Sequence, residues 1–132
     1  MVCSKEVEAL KELRVFIADD SEAIKQQLRR ALSIIVGIKL VGVAGGNVEA
    51  ADLIRAVKPD VIILDIPMPH KEGINVLRKI RQEVQPAQII IFTADPSVVL
   101  QEVCLEAGAD FYLHKTQTQE LIDICSEQLA LI

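Results

Sequence analysis

Asp19, Asp20, Asp65, Thr93 and Lys115 each follow or close a short apolar run. Three carboxylates brought within a few ångströms of one another repel, each pair by roughly 1–4 kcal/mol at surface-like dielectric. One lysine cannot neutralise three. Either their pKa values rise or a divalent cation is bound. An all-oxygen donor set without His or Cys selects a hard ion such as Mg²⁺. Mg²⁺ keeps waters and shares its remaining positions with phosphate oxygens, so a neighbouring carboxylate becomes a tolerable place for a phosphoryl group. Phosphoryl transfer asks mainly for positioning and charge stabilisation, which a cation, an ammonium and a hydroxyl supply. Singly these residues are ordinary, since aspartates at strand ends commonly cap helices. Their joint placement carries the inference.

The runs that precede them are RVFIA (14–18), IKLVGVA (38–44), VIILD (61–65), QIIIFT (88–93) and DFYLH (110–114). Four of the five are nearly continuous in apolar side chains, as strands buried on both faces are. The stretches between them show helical spacing. Ile24, Leu28, Ala31, Leu32 and Ile35 mark a first helix. Ala51, Ile54 and Val57 mark a second, with Asn47 as its cap after Gly45-Gly46. Leu77, Ile80 and Val84 mark a third. The fourth starts at Asp95-Pro96, runs through Val99, Val103 and Ala107, and stops at Gly108. The fifth has Thr116 and Gln119 in capping-box spacing and Leu121, Cys125 and Leu129 on its apolar face. Five such units with right-handed crossovers predict an α/β fold, a flavodoxin-like (βα)5 three-layer sandwich with parallel strand order 2-1-3-4-5. Ligands in such a sheet bind beyond the carboxyl ends of the strands, where the order switches. All five residues fall on that edge. The second strand brings only Ala44, Gly45 and Gly46 there.

With 132 residues the chain is expected to be one domain, 1–132, with a core over about 13–131 and an N-terminal extension over 1–12. Ser4 to Leu13 reads as a short extra helix. Hydrophobic residues at 51% and charged ones at 25% fit a globular chain. A formal net charge of -5 and an aromatic content of 3% argue against a nucleic-acid surface. No apolar run approaches the length of a membrane span. Cys3, Cys104 and Cys125 are odd in number and not at metal or redox spacing, so they read as reduced thiols. The opening MVCSKEVEALKEL carries charges where a signal peptide needs an apolar core, and a cytoplasmic location is expected.

VFIADDSEA (15–23) resembles the first strand and acidic loop of bacterial response regulator receiver domains, the CheY-like family. LDIPMPHKEG (64–73) resembles their phosphoacceptor segment, with Met68, Pro69 and Gly73 at the family's offsets from Asp65. IIIFTA (89–94) and EAGADFYLHK (106–115) resemble their fourth and fifth strands. The resemblance covers about residues 13–131. It implies phosphorelay signalling, with Asp65 taking a phosphoryl group from a sensor histidine kinase or a histidine phosphotransfer protein. It implies Mg²⁺ held directly by Asp20, Asp65 and the backbone carbonyl of Pro67, with Asp19 helping through water. Lys115 and Thr93 would contact the phosphoryl oxygens, and Thr93 with Tyr112 would form the switch. A downstream protein or effector domain would read the face of helix 4, strand 5 and helix 5, or two copies would pair there on phosphorylation. Ile124 and Leu131 read as off-core apolar residues of that face. On this reading the chain is a phosphoacceptor rather than a turnover enzyme, without direct contact to nucleic acid or membrane.

Two departures from the family pattern stand out. Thr116 follows Lys115 where the family often has proline, commonly in a cis bond. A non-proline cis bond costs about 3–4 kcal/mol, so a trans bond is expected here. Pro67 brings no polar side chain to a position that overlooks the site. It also argues against an aspartyl phosphatase of the haloacid dehalogenase type, which needs a second Asp there. Asp19-Asp20 likewise argue against a flavodoxin, whose phosphate loop stands at that place. A receiver-like module that only binds protein would not need all five residues. His70 reads as a solvated loop histidine, since no orienting partner is evident.

Overall fold

Side-chain alternation along the strands builds the core on both faces of one sheet. In β1 (Leu13–Ala18), Leu13, Val15 and Ile17 join one apolar cluster, while Phe16 and Ala18 join another. β3 (Val61–Leu64) and β4 (Gln88–Thr93) divide in the same way, with Val61, Ile63, Ile90 and Phe92 on the first side and Ile62, Leu64, Ile89 and Ile91 on the second. The structure, a computed structural model, describes residues 12–67, 70–83 and 87–132. The sheet is parallel and five-stranded in the order β2-β1-β3-β4-β5, completed by β2 (Ile38–Ala44) and β5 (Phe111–His114). This is the expected topology.

Helices cover both faces. α1 (Glu22–Ser33) and α5 (Thr118–Ala130) bury Leu28, Leu32, Leu121 and Cys125 in the first cluster. α2 (Asn47–Val57), α3 (His70–Glu83) and α4 (Val98–Glu106) bury Ala50, Ile54, Leu77, Ile80, Leu100 and Cys104 in the second. Every strand therefore meets helices on both sides, which is why the strand runs read as continuously apolar.

Packing corrects several local expectations. The apolar face of α4 is rotated by one residue at its start: Leu100 and Cys104 are buried and Val99 is 70% exposed, while Ala107 is buried as expected. VVLQEVCLE is apolar nearly all round, so its spacing did not select a face. Ser97, not Asp95, caps α4 by accepting the Leu100 amide, and Asp95 instead accepts the Ser97 amide. Gly46 stands at the N-cap of α2, with Asn47 the first helical residue. Gln117 precedes α5 at the N-cap position, and the Thr116 hydroxyl is engaged by His114 rather than by the helix. Ile35 lies beyond the end of α1, and Ile124 packs against the first core cluster instead of standing off it. β3 stops at Leu64 and β5 begins at Phe111, while Leu13 opens β1. The Ser4 to Leu13 helix, apart from Glu12 and Leu13, lies outside the described residues, as do Cys3, Met68, Pro69 and Val84.

Two backbone sites require glycine. The register of β1 with β2 slips between Val15 and Phe16, so that Phe16 pairs with Gly42. A Cβ on Gly42 would stand 2.5 Å from the Phe16 ring. Gly108 ends the α4 segment at φ +118°, a conformation that side chains resist, and the Arg81 side chain packs over it.

Candidate functional site

The carboxyl edge of the sheet gathers what the sequence separates by up to 96 residues. Asp19 and Asp20 follow β1 directly, Asp65 follows β3, Thr93 closes β4 and Lys115 follows β5. β1 and β3 are neighbours, so their terminal acids are brought side by side. Carboxylate oxygens of Asp19, Asp20 and Asp65 lie within 4.8 Å of one another. Asp19 and Asp65 are buried and Asp20 is exposed. Lys115 Nζ stands 3.1 Å from Asp19 Oδ2 and 3.2 Å from Asp65 Oδ2. The three acids, Pro67, Gly45 and Gly46 line a cavity of about 150 Å³. The glycines add backbone without side chains, which keeps the mouth open.

The local sequence holds this arrangement. Ser21 caps α1 by accepting the Ile24 amide, and its own amide donates to Asp19 Oδ1 at 2.8 Å. The Asp65 amide donates to the Ala18 carbonyl and the Lys115 amide to the Thr93 carbonyl, so the sheet ladder continues into the site. Burial raises the pKa of Asp19, and the charge of Asp65 adds to this; the Ser21 amide and Lys115 oppose without cancelling it. For Lys115, burial pulls the ammonium down, but Asp19 and Asp65 together outweigh that and hold it above the ordinary lysine value. One cation thus serves two buried acids, and a third acid faces solvent. The donor set is all oxygen. Three carboxylates this close, with oxygen donors only, fit a hard divalent cation such as Mg²⁺.

Thr93 is 3% exposed, and its hydroxyl accepts the Asp95 amide at 3.4 Å. Tyr112 packs against the second core cluster and donates its hydroxyl to the Asp95 carbonyl at 2.7 Å. Burial pushes its phenol up to about 12, with Asp95 contributing. Sequence reasoning missed two histidine contacts. His70 opens α3 and pairs with Asp95 at 3.1 Å, so it is not a solvated loop residue. His114 bridges Thr116 and Ala94. Spacing gave no hint of the contacts to Asp95 and Ala94, because these lie 25 and 20 residues away. A larger depression, about 560 Å³, lies at the opposite end of the sheet, lined by residues such as Leu13, Lys58, Asp60 and Gln88. Among the described residues it holds no cluster of three metal-ligating side chains.

The sequence model of the response regulator receiver domain matches residues 15–125. The chain belongs to that family. It is a response regulator receiver domain of two-component signalling. A curated relative, the response regulator MprA of Mycobacterium avium (strain 104), is 38% identical over 103 residues, which is 78% of this chain and 44% of the relative. The chain thus spans less than half the length of that relative. Among solved structures, the LuxR-family two-component response regulator from Aurantimonas sp. SI85-9A1 is 30% identical with a TM-score of 0.81, covering 91% of this chain and 86% of that one. The signal receiver domain of the response regulator NarL from Mycobacterium tuberculosis is 29% identical with a TM-score of 0.76, covering 88% and 98%. Among the described residues of this receiver domain, no helix is long and apolar enough to cross a membrane.

Proposed function

We propose that this receiver domain accepts a phosphoryl group on the Asp65 carboxylate in a Mg²⁺-dependent reaction and thereby changes the face formed by α4, β5 and α5. The observation that carries the reading is Lys115 Nζ held between Asp19 and Asp65, at 3.1 and 3.2 Å, beside a cavity lined by three acids. Asp20, Asp65 and the Pro67 carbonyl would hold the metal, with Asp19 assisting. When bound, the cation would supply charge neutralisation for the phosphoryl oxygens. An Asp65 oxygen forms the new P–O bond as the P–N bond of a phosphohistidine breaks, on a sensor kinase or a phosphotransfer protein. The bonding pair leaves with the imidazole, which departs neutral because its other ring nitrogen is protonated. Lys115 and the Thr93 hydroxyl hold the transferred oxygens.

Thr93 and Tyr112 form the switch. The Tyr112 ring is already seated on Asp95, so phosphorylation favours this state over others rather than creating it. The output face includes Val98, Val99 and Leu131, all more than half exposed, and its partner is a downstream protein, an effector domain or a second copy. The chain itself neither binds nucleic acid nor turns over a substrate, beyond assisting its own phosphorylation and dephosphorylation. We place it in the cytoplasm, where the free Cys104 and Cys125 stay reduced.

The test is intact-mass spectrometry after incubation with acetyl phosphate and Mg²⁺. One phosphoryl addition is expected, abolished by chelator and by Asp65→Asn. Addition to Asp65→Asn at the wild-type level would reject Asp65 as acceptor.

A further inference from the structure

The residue before Lys115 makes an unusual set of contacts. His114 Nδ1 accepts the Thr116 amide at 3.2 Å and lies 2.8 Å from the Thr116 hydroxyl. Nε2 lies 3.1 Å from the Ala94 carbonyl. An amide only donates and a carbonyl only accepts, so the three contacts together fit the tautomer with hydrogen on Nε2, with the Thr116 amide and hydroxyl both donating to Nδ1. The main chain of His114 is held as well. Its amide donates to Gln117 Oε1 and its carbonyl accepts the Gln117 amide, each at 2.8 Å. These contacts close a tight turn, 114–117, with Lys115 and Thr116 at its centre.

We propose that His114 is a positioning residue for phosphoryl transfer: its imidazole clasps the loop carrying Lys115 to the loop that follows Thr93. The role rests on the reaction assigned above to Asp65. Lys115 and Thr93 come from different strands and must meet the same phosphoryl oxygens. Their backbones are joined by the Lys115 amide on the Thr93 carbonyl at 2.9 Å. The imidazole adds a second tie one residue further along each loop, from Thr116 to Ala94. Tyr112, two residues earlier and so on the same side of β5, takes the next carbonyl, that of Asp95. Two side chains of one strand thus hold consecutive carbonyls of the loop after Thr93. Thr116 is part of the device. A proline there would lack both the amide hydrogen and the hydroxyl that reach Nδ1. The contact seen here is therefore one that only a residue other than proline can make.

The test compares wild type, His114→Leu, His114→Asn, Thr116→Ser and Thr116→Val, each also measured for thermal stability and Mg²⁺ affinity. Phosphorylation by acetyl phosphate at saturating Mg²⁺ is the rate followed. His114→Leu removes both ties and is expected to slow the reaction about five- to tenfold, the scale of one or two lost hydrogen bonds. Mg²⁺ affinity should stay unchanged, because none of the imidazole contacts is to an acid of the cluster. His114→Asn keeps an oxygen able to accept the Thr116 amide but does not reach Ala94, so an intermediate rate is expected. Thr116→Ser should match wild type, and Thr116→Val should fall part of the way. In a Lys115→Ala background the effect of His114→Leu should largely vanish, because the clasp acts through Lys115. An equal slowing with and without Lys115 overturns the proposal, as does a His114→Leu chain that reacts at the wild-type rate. Wild type that takes up no phosphoryl group overturns the parent reading and this role together, which separates the two failures.

Discussion

Asp19 and Asp20 are adjacent in sequence but differ in surroundings: Asp19 is buried and bonded to Ser21 and Lys115, while Asp20 is exposed. Among the described residues no partner engages the Asp20 oxygens, whereas those of Asp19 are held by Ser21 and Lys115. Asp20→Ala is expected to weaken Mg²⁺ binding more than Asp19→Ala, as read by calorimetric titration of both variants; equal losses would remove the division of roles. The raised pKa of Asp19 has a consequence for the metal-free protein. Between its unfolded value near 3.8 and its higher folded value, the folded state binds more protons than the unfolded one, so stability falls as pH rises through that window. Lys115 is also raised, but its contribution is complete below its unfolded value of 10.5 and is lost only above it, so it does not act in this window. Asp19→Asn carries no such charge. With chelator present, its urea midpoint should gain on wild type as pH rises from about 4 towards neutrality, and then run parallel. A difference between the two chains that is constant over this range would refute the assignment.

At the scale of elements, one side chain ties α3 to the strands behind it. Arg81 donates to the Gly108 carbonyl at 2.8 Å and the Ala87 carbonyl at 2.7 Å, and pairs with Asp110. Asp110 in turn accepts the Ile89 amide at 2.8 Å, which links the starts of β4 and β5. Arg81→Ala leaves two carbonyls and a carboxylate without this donor. A loss of about 2–3 kcal/mol is expected in denaturant titration, and Arg81→Lys should recover little because an ammonium lacks the planar fork. Such elements also show where sequence reading reaches its limit. The strands were legible because burial on both faces leaves an unmistakable apolar run. Helix caps were not: Asp95, Asn47 and Thr116 are all good capping residues, yet Ser97, Gly46 and Gln117 occupy the positions. Short polar side chains choose among several nearby backbone donors, and the surrounding loop decides which. The Thr116 hydroxyl turned to His114 because β5 ends there.

For the molecule as a whole, the ordered sheet makes the carboxyl edge a shared platform, so an event at Asp65 is one strand away from Thr93 and two from Tyr112. Binding of beryllofluoride, a stable mimic of the phosphoryl group, is expected to slow amide exchange along α4 and β5 as well as around Asp65. The seated Tyr112 should be held more of the time, and Thr93→Ala should blunt the distant part of the response. Sedimentation in parallel tests pairing of the exposed face that includes Val98 and Val99. Changes confined to the Asp65 loop would sink this account of the output and leave the phosphoacceptor reading standing. The sequence alone determined the five strands and the set of five residues at one edge, because continuous apolar runs and strand-end acids are local signals that survive without coordinates, and the rule of right-handed crossovers then pointed to the strand order. The tertiary structure decided what is non-local. It turned the start of α4 by one residue, buried Asp19 but not Asp20, paired His70 with Asp95, and set His114 between two loops. Each of these depends on which surfaces meet across the sheet, and residues 20 or more positions apart leave no periodicity in the chain to show that they will touch.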